Sequence, residues 1–133
     1  MELKPGITGS SESVVTRSQT ARSMDSGALE VFATPAMIAG MESLCLHTAE
    51  PYLDPGTTTV GTRLEISHLS PTPEGAPLRY ECTLTAVEGR KLVFSVAAYD
   101  HCGLIGEGIH ERYIVTVGSF TAKVSAKAEK IPV

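Results

Sequence analysis

The length of 133 residues allows one domain with a substantial apolar core. A formal net charge of −4 argues against nucleic-acid binding, which requires basic patches. No apolar run reaches transmembrane length and no signal-peptide pattern is present, so we expect no membrane partner and no export. The three cysteines lack C-x-x-C spacing, which favours free thiols in a reducing, cytoplasmic compartment over disulfides or zinc ligation; they are Cys45, Cys82 and Cys102.

The N-terminal 28 residues are polar and rich in small side chains. We expect only weakly structured elements there: a short edge strand around Lys4–Thr8, a second short strand near Val14, and a loop from Arg22 to Gly27. This loop leads directly into the most apolar part of the sequence.

One long helix is predicted from about Pro35 to Glu50. Thr34 fits its N-cap, because the hydroxyl can accept a hydrogen bond from a backbone N–H of the first turn, and Pro35 fits the first helical position. Pro51 ends the helix, since proline has no N–H to donate and clashes with the preceding turn. Residues at helical spacing form a largely apolar stripe: Met37, Ile38, Met41, Leu44, Cys45 and Thr48.

From Thr57 onward a two-residue period predicts four strands. In the first of them, alternate residues share one face: Val60, Thr62, Leu64, Ile66 and His68. In the next two, the alternating apolar residues are Leu78, Tyr80, Cys82, Leu84 and Ala86, then Leu92, Phe94, Val96 and Ala98. Turns at Glu88–Gly89 and Asp100–Gly103 separate the later strands, and the last strand runs from Ile105 to Val117.

A weak strand, one long apolar helix and four strands joined by short turns predict an α+β domain. Short connections favour an antiparallel meander, and one sheet buries a single helix on most sides only by curling around it. We therefore expect a hotdog fold over residues 1–133, with a curved antiparallel sheet wrapped around one long central helix and a loose tail from residue 125. The free edges of so small a sheet predict edge-to-edge pairing in a homodimer.

Three residues are candidates for catalysis: Thr34, Glu42 and His68. Glu42 is the one acid inside the apolar helix, and a desolvated carboxylate suits a general base or a nucleophile. Its structural alternative is an ion pair at a dimer seam with an arginine such as Arg63, and the residues alone leave the two open. His68 is more simply structural, and the Thr34 hydroxyl needs a base within hydrogen-bonding reach to act as a nucleophile.

The N-terminus of the helix is a candidate site for the carbonyl of a substrate, because the amides of Ala36 and Met37 point out of it. Thr34 and Glu42 are eight residues apart, however, which is roughly 12 Å along a straight helix. From one straight helix they do not easily meet at one carbonyl, so either Thr34 lies off the helix on a bend or the site takes groups from both sides of a dimer interface. Of these two arrangements we expect the interface.

Other ionisable residues give weaker signals. His110 and Arg112 share one strand face, opposite Glu111. Arg112 is a candidate for binding a phosphate of the substrate, although a surface ion pair is the simpler interpretation. His47 and His101 have no metal-ligand companion at a useful spacing, so we expect no metal.

The sequence resembles the fluoroacetyl-CoA thioesterase group of hotdog proteins from about Glu30 to Val124. The resemblance rests on the order and spacing of short motifs: Glu30–Thr34, Gly40–Glu42, Pro51–Gly56, Val60–Thr62, Ser67–His68, Val87–Arg90 and His110–Arg112. It implies hydrolysis of a small acyl-CoA thioester, with coenzyme A as part of the substrate and no other cofactor. The catalytic threonine, glutamate and histidine of that family match Thr34, Glu42 and His68, and a glycine near the acyl group matches Gly61.

One departure lies upstream of this match. The fluoroacetyl-specific enzyme has phenylalanines that form a lid over the acyl pocket, where this chain has Asp25 and Ala28. The resemblance therefore implies a thioesterase without a defined preference for the fluoroacetyl group. The main alternative is a non-catalytic module that binds acyl-CoA or another small molecule; a hydratase is a weaker one, because the Asp-x-Asn-x-x-His signature of hotdog hydratases is missing.

Overall fold

Residues 2–132 are described by the computed structural model and form one antiparallel sheet and two α-helices. Short 3-10 helices lie at Arg17–Gln19 and Glu50–Tyr52. None of the helices in this range is long and apolar enough to cross a membrane. In chain order the main elements are β1 (Thr8–Val14), α1 (Thr34–Ala49), β2 (Thr57–His68), β3 (Pro77–Glu88), β4 (Lys91–Asp100), β5 (Gly103–Thr116) and α2 (Val117–Ala128).

The strand order is β1-β3-β4-β5-β2, and every neighbouring pair is antiparallel. β3, β4 and β5 form a meander as predicted, but the prediction was wrong for β2, which lies beside β5 at the edge of the sheet. The connection from β2 to β3 is not a tight turn, because residues 69–76 contain two prolines and Leu69 donates to the Ile105 carbonyl at 2.7 Å. β1 and β2 are therefore the two edge strands.

The apolar stripe predicted for α1 is largely confirmed, since the helix buries Ala36, Met37, Met41, Leu44, Cys45 and Ala49. These side chains belong to one core with the alternating residues predicted for β3 and β4, which are Leu78, Tyr80, Cys82, Leu84, Leu92, Phe94, Val96 and Ala98. A curved antiparallel sheet around one central helix is the α+β arrangement predicted for a hotdog fold.

The start of α1 differs from the prediction. Thr34 is the first helical residue and Ala33 is the N-cap, so the Thr34 side chain makes no capping hydrogen bond. A shift of one residue is ordinary for a helix boundary. Here it matters, because a hydroxyl that does not cap the helix is available for another partner. At the other end, Pro51 lies in a 3-10 turn that continues from α1.

A register shift between Gly61 and Arg63 interrupts β2. Gly61 pairs with Arg112 and Leu64 pairs with His110, and both of these β5 side chains are buried. Directly paired residues of an antiparallel sheet face the same side. The bulge therefore puts Gly61 on the helix-facing side together with Leu64, whereas strict alternation had placed them on opposite faces.

Both ends of the chain are more regular than expected. The two short N-terminal strands are one strand, β1, paired with β3, and Met1 lies outside the described residues. The loose tail predicted from residue 125 was wrong as far as Ala128, because α2 continues to that residue. α2 buries none of its residues and contains glycine, serine and threonine, so neither apolar periodicity nor helix propensity indicated it.

Candidate active site

Thr34 and His68 form the first part of the site, where the start of α1 meets the end of β2. Thr34 Oγ1 lies 2.7 Å from His68 Nδ1, so the base that the Thr34 hydroxyl requires is within hydrogen-bonding distance. Burial lowers the pKa of His68, and the backbone of Ser70 opposes this effect more weakly. His68 Nε2 is buried and has no hydrogen-bond partner within residues 2–132. The imidazole is therefore neutral near pH 7 and has one nitrogen available for a further group.

A cavity of about 310 Å³ opens beside this pair. Ser26 and Phe32 line it from the segment before α1, and Leu69 lines it from the segment after β2. Asp25 and Ala28, which the resemblance sets against the family's lid phenylalanines, are both exposed, and Asp25 has a left-handed backbone (φ +56°). This part of the loop therefore offers no aromatic cover to the cavity.

Glu42 belongs to a second group, which surrounds Gly61. A Cβ atom built on Gly61 would lie 2.7 Å from Glu42 Oε2, 3.2 Å from His110 Cε1 and 3.5 Å from Arg112 Nη1. A carboxylate, an imidazole and a guanidinium thus converge on one point, and only a residue without a side chain leaves that point empty.

Arg112 is buried, with 5% of its surface exposed, so the predicted surface ion pair was wrong. Its Nε donates to Thr59 Oγ1 at 2.8 Å, and its Nη2 donates to the Thr59 carbonyl at 2.9 Å. Its Nη1 lies 3.1 Å from His110 Nε2. A guanidinium held in this way faces the interior beside Glu42, and not the surface where the phosphates of a CoA ester would lie.

Within one chain Glu42 does not pair with Arg63, and the alternative of an ion pair across a dimer seam stays a prediction. Arg63 bonds Glu65 at 3.1 Å and Glu111 at 3.4 Å, on the opposite side of the sheet from the helix. The charge that faces Glu42 is Arg112, which the two-residue alternation had correctly placed on the same face as His110. The sequence did not indicate that Thr59 accepts hydrogen bonds from Arg112, or that His110 lies close to Glu42, because both arrangements depend on the bulge in β2.

The helix N-terminus retains only part of its predicted role. The Met37 amide donates to the Ala33 carbonyl at 3.0 Å, so the prediction of a free Met37 amide was wrong. The Ala36 amide has no backbone partner within residues 2–132, and it lies in the same first turn as Thr34. One amide and one hydroxyl therefore remain as candidate donors to a carbonyl oxygen.

The structure brings Thr34 to His68 and Glu42 to Gly61, but it does not bring these two groups together within one chain. Thr34 and Glu42 are eight residues apart on α1. His68 and Gly61 are seven residues apart on β2, which is roughly 20 Å for an extended strand. A single chain thus holds two separate halves of the predicted catalytic set.

Ligand atoms of Asp100, His101 and Cys102 lie within 4.8 Å of one another, so the expectation that His101 has no metal-ligand companion was wrong. Asp100 already accepts hydrogen bonds from Thr72 Oγ1 at 2.7 Å and from the Cys102 amide at 2.8 Å. Its carboxylate therefore has a structural role in the β4–β5 turn. Of the predicted free thiols, Cys45 and Cys82 are buried and Cys102 is exposed.

The chain is similar to known thioesterases in sequence. Residues 15–118 match the family model described as fluoroacetyl-CoA-specific thioesterase, FlK. A fluoroacetyl-CoA thioesterase of Streptantibioticus cattleyicolor is 41% identical over 98 residues, which are 74% of this chain and 70% of that protein.

Solved structures show the same similarity. The fluoroacetyl-CoA thioesterase FlK superimposes with a TM-score of 0.90 at 33% identity, covering 99% of this chain and 100% of that one. A FlK variant in complex with fluoroacetate and CoA gives a TM-score of 0.84 at 34% identity, covering 89% and 99%. A thioesterase superfamily member from Thermus thermophilus gives 0.90 at 29% identity, covering 98% and 97%. These neighbours confirm the predicted hotdog fold.

Proposed function

The chain belongs to the family of fluoroacetyl-CoA-specific thioesterases, and we propose that it hydrolyses a small acyl-CoA thioester in a site shared by two subunits. Membership of this family makes it a thioester hydrolase. The observation that supports a shared site is the separation within one chain of the Thr34–His68 pair from Glu42. His68 is the last residue of β2 and Gly61 lies nearer its middle, and both are on the side of the sheet that faces α1.

A homodimer through β2 unites the halves. β2 is an edge strand, and Leu64 near its middle is 41% exposed although it faces the helix side. A two-fold axis close to Leu64 pairs β2 with its own copy antiparallel, and it sets His68 of one subunit opposite Gly61 of its partner. Thr34 and His68 of one subunit then meet Glu42 of the partner subunit. Pairing also satisfies the free backbone groups of the edge and covers the exposed leucine.

In the proposed reaction the thioester carbonyl lies between the two halves. The Ala36 amide and the Thr34 hydroxyl donate to its oxygen and stabilise the oxyanion of the tetrahedral intermediate. Glu42 of the partner subunit takes a proton from a water molecule, whose oxygen forms a bond to the carbonyl carbon. When the intermediate collapses, the carbon–sulfur bond breaks and the CoA thiolate receives a proton, which leaves the free acid and CoA.

His68 has two possible tasks in this scheme, and its contact with Thr34 supports both. It orients the Thr34 hydroxyl through Nδ1, and it returns a proton to the departing thiolate. Glu42 likewise has an alternative role as a nucleophile that forms a transient anhydride with the acyl group. Label in the Glu42 carboxylate after a single turnover in ¹⁸O-labelled water would identify the nucleophilic route, because only attack of water on the Glu42 carbonyl of an anhydride introduces it.

The cavity beside Thr34 and His68 supports a small acyl group. Asp25 and Ala28, which the resemblance sets against the family's lid phenylalanines, are exposed and not aromatic, so we include acetyl, propionyl and phenylacetyl esters together with the fluoroacetyl ester. Coenzyme A enters as part of the substrate, and the reaction requires no resident cofactor. We propose a cytoplasmic location, which the buried thiols of Cys45 and Cys82 support.

Replacing Glu42 tests the function. We expect Glu42→Gln and Glu42→Ala to lower kcat by roughly a hundredfold or more, because general base catalysis contributes on this scale. Thiol release from the four CoA esters, followed with a thiol-reactive dye, gives the rates. Glu50→Gln is the matched control, since Glu50 is an exposed acid that follows α1.

Unchanged turnover in both Glu42 variants would contradict the role of this residue. A wild-type chain that CoA esters stabilise against heat without release of any free thiol is instead a binding module, and that result would replace the proposed hydrolysis.

A further inference from the structure

Building on the role proposed for Glu42, we propose that His110 is a positioning residue of the thioesterase site. Its neutral imidazole fixes the guanidinium of Arg112, and through it the charge that faces the Glu42 carboxylate above Gly61. His110 does not touch the reacting atoms in this scheme. It acts by determining where the cation beside Glu42 lies.

The hydrogen bonds of His110 define its protonation state. The side chain is fully buried, and Nδ1 lies 2.9 Å from the Arg63 carbonyl oxygen. A carbonyl oxygen only accepts, so Nδ1 carries a proton and donates it. Nε2 lies 3.1 Å from Arg112 Nη1, which only donates, so Nε2 must be unprotonated and accept. The geometry requires the neutral Nδ1–H tautomer.

Arg112 is held at three of its nitrogens. Thr59 accepts from Nε through its hydroxyl and from Nη2 through its carbonyl, and His110 accepts from Nη1. The planar guanidinium has no freedom to rotate when all three contacts are made. Two of its five N–H groups remain, and Nη1 is the nitrogen nearest to the point above Gly61 that Glu42 Oε2 also approaches.

Loss of the acceptor at His110 Nε2 would release Nη1, the Arg112 nitrogen that lies nearest to the point above Gly61. The charged or titratable groups that face His110 and Arg112 are Glu42 and Cys45 from α1, so among the described residues Glu42 is the only carboxylate in this group. Burial lowers the pKa of His110, and the nearby Arg112 charge acts in the same direction. Both effects favour the neutral imidazole that the hydrogen bonds require.

Two substitutions separate positioning from simple packing. His110→Leu fills the space but cannot accept from Arg112, and we expect kcat to fall roughly tenfold to a hundredfold with KM changed by less than about threefold, because a small misplacement of a catalytic group has this effect. His110→Gln puts an amide oxygen near the position of Nε2 and should keep kcat within about threefold of the wild type. Leu78→Ala is the control for stability, because it creates a cavity in the core without contact to this network.

An NMR measurement on the wild type needs no substrate, and the conservative His110→Gln variant serves only to assign the signals of His110. Long-range ¹H–¹⁵N spectra of the histidine side chains should show His110 as the neutral Nδ1–H tautomer at pH 7. An Nε2–H tautomer, a charged imidazolium, or full kcat in His110→Leu would overturn the proposal. Loss of activity in Leu78→Ala equal to that in His110→Leu would also overturn it. Unchanged turnover in the Glu42 variants would contradict the role proposed for Glu42 but leave the tautomer result intact.

Discussion

The chemistry proposed for this protein depends as much on one missing side chain, at Gly61, as on the charged residues around it. Gly61 is an ordinary strand residue in sequence, with no positive φ to explain it. Its importance lies in the space above it, where Glu42, His110 and Arg112 converge. Because the backbone conformation at Gly61 is one that alanine can adopt, the effect of a Gly61→Ala substitution measures only the loss of the space above the glycine.

Gly61→Ala should lower kcat/KM by roughly tenfold or more, because the new methyl group would lie 2.7 Å from Glu42 Oε2 and displace the carboxylate. The loss of stability should be small, since the end of a glutamate side chain moves easily. Thiol-release kinetics and thermal unfolding measure the two effects. In a Glu42→Gln background the same substitution should cause no further loss, because the two changes then act through one group. Additive losses would contradict the displacement of Glu42.

At the scale of the elements, α1 approaches the sheet at a glycine. A Cβ built on Gly40 would overlap the ring of Tyr80, which is buried on β3. The helix therefore packs closer to β3 than any other residue at this position allows. The contact between Gly40 and Tyr80 sets the distance between α1 and the sheet. It therefore also sets how far the side chain of Glu42, two residues further along the helix, extends toward β2.

Gly40→Ala should destabilise the fold by about 1–3 kcal/mol, as overpacking does, although alanine favours helix formation more than glycine. Gly118→Ala in α2 is the matched control: nothing lies within 4 Å of its built Cβ, so the higher helix propensity should stabilise by up to about 1 kcal/mol. Urea unfolding curves of both variants give the free energies. A stabilised Gly40→Ala variant would mean that α1 lies further from β3 than described.

β2 shows how one element decides the site. Its bulge turns Gly61 to the helix side, and its place at the sheet edge leaves one side of the strand unpaired. Both features follow from its pairing with β5, a strand almost fifty residues later in the chain. The two-residue alternation of side chains along β2 predicts neither the bulge nor the position at the sheet edge.

At the scale of the whole molecule, the proposed shared site makes a prediction that no single-chain site makes. Thr34→Ala and Glu42→Ala are each expected to be nearly inactive as homodimers. A heterodimer of the two has one site with both residues intact and one site with neither. Mixed subunits that exchange at random should therefore recover roughly a quarter of the wild-type activity.

Mixing is achieved by co-expression with two affinity tags, and the purified heterodimer should reach about half of the wild-type activity. Analytical ultracentrifugation checks that each variant is a dimer. An inactive heterodimer would mean that Thr34 and Glu42 act from the same chain. A monomeric wild type with full activity would exclude the shared site altogether.

The sequence by itself determined the α+β class, the single apolar helix, and the alternating core residues of β3 and β4. These follow from local periodicity, which depends only on which residues must face the core. Residue chemistry made Thr34, Glu42 and His68 candidates, and the resemblance to a family of thioesterases matched them to a catalytic set. The eight-residue gap between Thr34 and Glu42 already indicated that one straight helix does not easily assemble them.

Only the tertiary structure decided which groups meet. The place of β2 beside β5, the bulge at Gly61, and the burial of Arg112 with His110 and Thr59 all arise from pairing between distant strands. Such pairing is chosen by the packing of the whole sheet, so no local pattern encodes it. Arg112, which the sequence predicted to lie at the surface, is therefore a buried charge on the side of Glu42. Its hydrogen-bond partners Thr59 and His110 come together only in the folded sheet.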